Sequence, residues 1–380
     1  MFPAPKMKIG QQQFRTIWAA PVASIHQRQV NIIDQTALPH ALRIVTLDSV
    51  DGMVNAIKTM QVRGAPLIGA AAAYGMALAC QAGLTDGHLQ MAASRLLASR
   101  PTAVNLRWAV ERMMNILHTL PVAQRCEAAW QEASRIADED VKINRAIGQY
   151  GLTLLQTLAA GRTERLNILT HCNAGWLATV DWGTALAPVY AAFDTGLDVH
   201  VWVDETRPRN QGASLTAWEL QQHGVPYTVI CDNAGGHLMQ QGRVDCVIVG
   251  ADRVSRCGDV CNKIGTYLKA LAAYDNQVPF YAAVPTPTID WRIANGLREI
   301  PIEERATEEV TQISGITSAG NIETIRLVPE GSMAANPAFD ITPARLVTGI
   351  ITEYGCYAPA ALEAVLSLAN AKELVDETFI

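Results

Sequence analysis

The chain has 380 residues, 49% of them hydrophobic and 17% charged, with a formal net charge of −6. That length predicts two domains with large cores, and the composition is that of a folded globular protein rather than a disordered one. The acidic balance argues against a nucleic-acid surface or a polybasic membrane patch, whereas a small anionic substrate needs only a few local cations.

The first residues, "MFPAPKMKIGQQQF", lack the apolar stretch of a signal sequence. No run of about 18 apolar residues free of polar breaks is evident, so a soluble, cytoplasmic protein with no membrane partner is expected. "FRTIWAA", "QVNIID" and "ALRIVTL", separated by turn residues, predict a small antiparallel sheet. From "SVDGMVNAIKTMQ" to about residue 160 apolar residues recur at three- and four-residue steps, the period of amphipathic helices. Within this region "VRGAPLIGAAAAYGMALA" (62–79) places Arg63 and Gly64 just ahead of a helix with Pro66 in its first turn. Such a start offers free N–H groups and a positive dipole end, Gly64 allows close approach to the backbone, and Arg63 adds a fork for phosphate or carboxylate. The amphipathic stretch "QEASRIADEDVKINRAIGQYGLTLLQTLAA" reads as one or two helices leading onward. An N-terminal domain over 1–130 and a catalytic domain over 131–380 are expected.

From about residue 165 the apolar runs "LNILTHC", "LDVHVWVDE", "PYTVICD", "DCVIVGAD" and "VPFYAAV" each precede a helical pattern. Runs of Val and Ile without alternation are strands buried on both faces, and their alternation with helices predicts a parallel, Rossmann-like sheet. The fold class is therefore α/β, a small antiparallel-sheet-plus-helices domain followed by a Rossmann-like one. Its ligand should lie beyond the carboxyl ends of the strands. No GxGxxG follows any of these runs, which argues against a dinucleotide cofactor. Four polar clusters begin where runs stop: "THCNAG", "DETRPRNQGA", "CDNAGG" and "GADRVSRCGDVCNKIG". Each alone is explained by helix capping, and together on one sheet edge they point to a shared site. Eight cysteines, at 80, 126, 172, 231, 246, 257, 261 and 356, form no regular framework, so a reducing compartment is expected. "CGDVC" lacks two further ligands nearby, and no metal is expected.

"VRGAPLIGAAAAYG", "SRPTAVNLRWAV", "THCNAGWLAT", "DETRPRNQGASLTAWEL", "GADRVSRCGDVCNKIGTY", "IPIEERATEEVT" and "NPAFDITPARLVTGIITEYG" resemble the methylthioribose-1-phosphate isomerase family, from about residue 14 to 355. Its wider superfamily includes ribose-1,5-bisphosphate isomerases and regulatory subunits of the translation-initiation exchange factor. The resemblance implies a homodimer without metal or organic cofactor that isomerises an aldose to a ketose in methionine salvage. It also implies Cys172 and Asp252 as catalytic residues, and Arg63, Gly64, Ala65, Arg100, Gln211, Asn262 and Lys263 as substrate-binding residues. Trp176 and Trp182 stand where relatives have smaller residues, and "SRCGDVC" departs from a small-residue version of that segment. Competing readings are an isomerase of 5-deoxyribose 1-phosphate or ribose 1,5-bisphosphate, and a non-catalytic regulatory subunit. Intact Cys172, Asp252, Asn262 and Lys263 weigh against the last. A carboxyl at Asp252 would act as an acid near pH 7 if burial raised its pKa, with Arg253 pointing the other way. His171 and Cys172, as strand neighbours, are expected to face apart rather than form a nucleophile pair.

Overall fold

The computed structural model describes residues 7–21, 28–365 and 367, so the first six residues of the N-terminal reading lie outside it. A two-residue ladder of β1 (Lys8–Ile9) and β2 (Gln12–Gln13) precedes the expected antiparallel sheet of β3 (Ile17–Ala19), β4 (Val30–Ile33) and β5 (Ile44–Leu47). Its register sets Ile17 opposite Ile32 and Ile32 opposite Val45, which gathers apolar side chains on one face.

Five helices follow: α1 (Val50–Lys58), α2 (Ala65–Ala82), α3 (Asp86–Ser99), α4 (Val104–Thr119) and α5 (Val122–Ala159). The Ser49 hydroxyl caps α1 by accepting from the Gly52 N–H (3.3 Å), and Thr85 caps α3 through the His88 N–H (3.3 Å). Helix α2 corrects one expectation. Its 18 residues have a mean hydropathy of 1.3, long and apolar enough to cross a membrane, but 89% of them are buried inside the protein. Neighbouring helices cover it on every side, approaching closely over Gly69, against Asn105, and Gly75, against Leu96 and Met53. It is a core helix.

Helix α5 is a single element of 38 residues, and the boundary expected at 130/131 falls inside it. Ala129, Trp130, Ile136 and Val141 belong to the core under α1–α4, whereas Ile147, Leu152 and Leu155 pack in the core of the following sheet. One helix thus serves two cores.

The second sheet contains β6 (Leu166–Thr170), β7 (Val199–Asp204), β8 (Tyr227–Ile230), β9 (Cys246–Val249), β12 (Phe280–Ala283), β17 (Gly349–Thr352) and β18 (Gly355–Tyr357). Their spatial order is β18-β17-β12-β9-β6-β7-β8, and every pairing is parallel except β17 with β18. Helices α6 (Leu186–Asp194), α7 (Ala217–His223), α8 (Ala234–Gln240) and α9 (Thr266–Asp275) intervene between strands. Successive side chains alternate between the faces, so Ile168 and Ile248 enter one core while Leu169 and Val247 enter another. The chain enters at β6, steps outward to β7 and β8, then returns to β9 on the other side. The order reverses between β6 and β9, which is where an open α/β sheet parts its loops to admit a ligand.

Beyond β9 a four-stranded sheet, β13-β10-β11-β16, is formed by β10 (Arg253–Ser255), β11 (Val260–Lys263), β13 (Ile289–Asp290) and β16 (Phe339–Thr342). Short helices α10 (Gly296–Glu299) and α11 (Glu308–Thr311) and the ribbon β14 (Gln312–Ile316)–β15 (Ile322–Arg326) complete the described chain.

Candidate active site

The turn after β6 bends sharply at Cys172, whose φ is 67°. A non-glycine residue in this region is held there by its surroundings. Here the Cys172 N–H donates to Thr206 Oγ1 (2.8 Å) and its carbonyl accepts from Thr216 Oγ1 (2.7 Å). The thiol, buried at 7% exposure, donates to Gln211 Oε1 at 3.5 Å. Gln211 leads into one wide turn of π-helix over Gly212–Thr216. Gly212 is obligatory there, because a Cβ would fall 1.7 Å from the Asp204 carbonyl oxygen.

Arg63 reaches this turn from the start of α2. Its Nη1 donates to Asn173 Oδ1 (2.6 Å) and Nη2 to the Asn173 carbonyl (2.9 Å). The Asn173 amide is held in turn by Glu219 Oε1 (2.9 Å). Glu219, on α7, is fully buried and also accepts from the Trp176 and Leu177 N–H groups and the Tyr190 hydroxyl, at 2.7, 2.9 and 2.9 Å. Burial raises its pKa while these hydrogen bonds pull it back. Gly175 makes room for it, since a Cβ would lie 1.9 Å from Glu219 Oε2. Gly64 has φ +97°, and the space of its absent Cβ is occupied by the Ala178 backbone at 2.5 Å. A crossing of two chain segments therefore demands glycine at this position.

On the other side of the switch point Asp252, half-buried, follows β9 and opens the β10–β11 hairpin through its N–H to the Cys261 carbonyl (2.9 Å). Asp252 borders a small cavity with Ala65, Arg100, Cys261 and Phe339. Arg253 lines the same cavity, donating to the Thr102 carbonyl and facing Asp290 at 3.6 Å. Arg100, at the end of α3, contacts Glu303 (3.2 Å), while its buried Nε has no protein partner. Asn262 Nδ2 donates to Thr266 Oγ1 (3.0 Å), whose hydroxyl donates to the Lys263 carbonyl (2.7 Å). Lys263 is buried with its ammonium 4.7 Å from the Phe339 ring centre.

These groups feel one another's charge. Burial raises the Cys172 pKa, opposed by Arg63 and Lys263 and assisted by Asp252. Burial lowers the Lys263 pKa, opposed by Cys172 and Asp252 and assisted by Arg100 and Arg63. The site thus sets a thiol, a carboxyl group and the cations Arg63 and Lys263 within reach of one another's charge, a setting for proton transfer next to an anion.

His171 turns away from Cys172. Its Nδ1 lies 2.9 Å from Asp204 Oδ2 and its Nε2 2.8 Å from the Ile264 carbonyl. His171, Asp204 and Asp232 offer three ligand atoms within 4.8 Å, but Lys269 Nζ sits 3.2 Å from Asp204 Oδ2 and donates to the Asp232 carbonyl. The donor set already holds a cation and has no spare imidazole nitrogen. Trp176 packs away from the reacting groups, stacked on Tyr190 at 5.2 Å, and Arg145 lies 6.0 Å from the Trp182 ring centre. Sequence reading missed Thr206, Thr216, Glu219 and Asp204; Asp204 and Thr206 stand at or just beyond the end of an apolar run, whereas Thr216 and Glu219 lie within helical turns and carry no such signal.

A family model described as the initiation factor 2 subunit family matches residues 61–359. The methylthioribose-1-phosphate isomerase of Acidiphilium cryptum is 62% identical over 349 residues, covering 92% of this chain and 94% of that protein. The chain belongs to the methylthioribose-1-phosphate isomerase family. The crystal structure of the 5-methylthioribose 1-phosphate isomerase from Pyrococcus horikoshii OT3, 38% identical, superposes with a TM-score of 0.78 over 95% of this chain and 97% of that one. A structure described as translation initiation factor eIF-2B, subunit delta, from A. fulgidus is 41% identical, with a TM-score of 0.74 over 92% of this chain and 97% of that one. The isomerase family therefore shares its fold with proteins carrying the initiation-factor description.

Proposed function

We propose that the protein is an aldose–ketose isomerase that converts 5-methylthioribose 1-phosphate into 5-methylthioribulose 1-phosphate, a step of methionine salvage. The observation carrying this reading is a buried thiol facing Gln211, with Arg63, Lys263 and Asp252 around it, at the switch point of a chain so similar to proteins of that name. Phosphate on the anomeric oxygen blocks the usual opening of a free hemiacetal. The ring must instead open by protonation of its own oxygen, and Asp252 is assigned that proton transfer. Hydrogen then passes from C2 to C1. Both routes start from a protonated Asp252 and a Cys172 thiolate. In one, hydrogen moves as hydride while Cys172 accepts the 2-hydroxyl proton, and passage of that proton to the Asp252 carboxylate restores both groups. In the other, Cys172 removes the C2 proton and returns it to C1 of the enediol-like intermediate, while the 2-hydroxyl proton passes to the Asp252 carboxylate. Each route leaves a ketone at C2 and the protein in its starting protonation. Arg63, Gly64, Ala65, Arg100, Gln211, Asn262 and Lys263 are assigned to substrate binding, with phosphate held between the two cores.

We assign the protein to the cytoplasm and to a homodimer, without nucleic-acid or membrane partners. Eight free cysteines, five of them buried, fit a reducing compartment. The division into two domains is proposed to pass through α5, whose two halves serve different cores. The deciding experiment is turnover of methylthioribose 1-phosphate beside 5-deoxyribose 1-phosphate and ribose 1,5-bisphosphate. One matched set of phosphate-binding residues predicts the highest kcat/KM for the methylthio sugar. A higher value for the bisphosphate would overturn the assignment.

A further inference from the structure

His171 is buried at 1% exposure, and the chemistry above makes no use of it. Both partners of its ring, the Asp204 carboxylate and the Ile264 carbonyl, are hydrogen-bond acceptors. With an acceptor at each nitrogen, the geometry offers a partner to a proton on both sides of the ring. Lys269 Nζ lies 3.2 Å from the same Asp204 oxygen, and it and His171 oppose the rise that burial imposes on the Asp204 pKa. Asp232 stands 3.9 Å from Nδ1, and the Asp340 carboxylate accepts from the Gly265 and Tyr267 N–H groups at 2.7 and 3.1 Å. Three carboxyl groups, Asp204, Asp232 and Asp340, and one amine, Lys269, are the titratable groups that face the ring. The placement is also specific. His171 immediately precedes Cys172, while Ile264 immediately follows Lys263. Gly265, at φ +101°, has no Cβ, and one there would lie 3.1 Å from the imidazole Cε1.

We propose that His171 is a positioning residue: as an imidazolium held by Asp204, it clamps the end of β11, which carries Asn262 and Lys263, in fixed register with Cys172. The clamp joins the loop after β6 to the loop after β11 through a charged hydrogen bond, with Asp204 at the end of β7 and Lys269 on α9 bracing the ring. Its consequence is that the Lys263 ammonium stays close enough to stabilise a Cys172 thiolate. Arg63 and Asp252, the other charged groups facing that thiol, sit on elements the imidazole does not touch. The inference rests on the assignment of Cys172 and Lys263 to the active site, so its tests include readouts that need no turnover.

The first test uses the unaltered protein labelled with 15N-histidine. Both ring nitrogens of His171 are expected to stay protonated at pH 8, and a neutral ring at that pH would overturn the clamp. The second follows alkylation of Cys172 by iodoacetamide against pH, with the adduct located by peptide mass spectrometry. In folded His171→Gln the rate at pH 7.5 is expected to fall about tenfold, one unit of thiol pKa, with a fall in kcat exceeding any change in substrate Kd. Lys263→Met should show the same alkylation shift, and the double variant no further one. If His171→Gln kept the native alkylation profile and kcat, His171 would be a core residue only. Should the unaltered protein fail to isomerise methylthioribose 1-phosphate, the functional assignment falls while the NMR and alkylation results still decide the clamp.

Discussion

In the proposed chemistry Cys172 takes a proton and Asp252 gives one. The thiol's pKa is raised by burial and held in check by Arg63 and Lys263, so small changes in those cations move its proton affinity. Asp252→Asn keeps shape but cannot deliver a proton, and turnover should fall by ~10²–10⁴-fold. Cys172→Ser keeps size and offers a far weaker acid, so kcat should collapse with little change in substrate Kd by calorimetry. Near-full kcat in Cys172→Ser would make the thiol structural. Asp140, on α5, presents a separate case. It accepts from the Val180 N–H at 2.7 Å, and burial pushes its pKa up to about 7, opposed by that hydrogen bond, Asn144 and Arg15 and assisted by Asp181. The folded state then binds the Asp140 proton more tightly than the unfolded chain does. Its stabilising contribution is complete below about pH 4 and is lost as pH rises toward 7, on the order of a few kcal/mol. Asp140→Asn should therefore gain Tm relative to the native protein between pH 5 and 8. Parallel Tm curves for the two proteins would refute it.

The loops that carry the site are held by contacts between elements. Gly64→Ala forces a Cβ onto the Ala178 backbone, which cannot move aside as a side-chain tip would, and adds the strain of φ +97°. Gly161, at φ +77°, has open space where its Cβ would lie, so Gly161→Ala isolates the strain alone. Gly64→Ala should cost at least about 2 kcal/mol more than Gly161→Ala and should displace Arg63, lowering kcat/KM. Equal Tm losses would mean that the crossing at Ala178 yields. This crossing also shows where sequence reading stops. Gly64 stood out from its place before a helix, but the segment that fills its missing side chain lies more than a hundred residues away. The central strands β6, β7, β9 and β12 were legible because burial on both faces leaves unbroken apolar runs. The β13-β10-β11-β16 sheet was not, because strands of two to four residues in "DRVSRCGDVCNK" carry too little periodicity to separate from a loop. Arg63, Cys172, Asp252 and Lys263 could be named from motif resemblance, whereas the Arg63–Asn173–Glu219 and His171–Asp204–Lys269 connections needed tertiary structure.

At the scale of the molecule, the proposed site lies where two cores meet, with Arg63, Gly64, Ala65 and Arg100 assigned to it from one side and Cys172, Gln211, Asp252, Asn262 and Lys263 from the other. The unbroken α5 ties these cores together, so the two halves of the site rest on a common stiff element. Enclosure has a chemical consequence. Arg63, Cys172, Gln211 and Lys263 are each exposed by 7% or less. A bound sugar there is shielded from bulk water, and a carbanion formed at C2 would gain little from solvent while a cation at C1 sits beside a phosphate. The arrangement favours transfer of hydrogen with its electron pair, from C2 directly to C1, with Cys172 accepting the hydroxyl proton. Substrate carrying deuterium at C2 should then give product with the label retained at C1 in ordinary water. Conversely, unlabelled substrate turned over in D₂O should gain no deuterium at C1. Both are read by mass spectrometry or NMR of the ketose phosphate. Wash-out of the label would show that the hydrogen leaves as a proton on an exchanging base, and would assign Cys172 to C2 rather than to its hydroxyl.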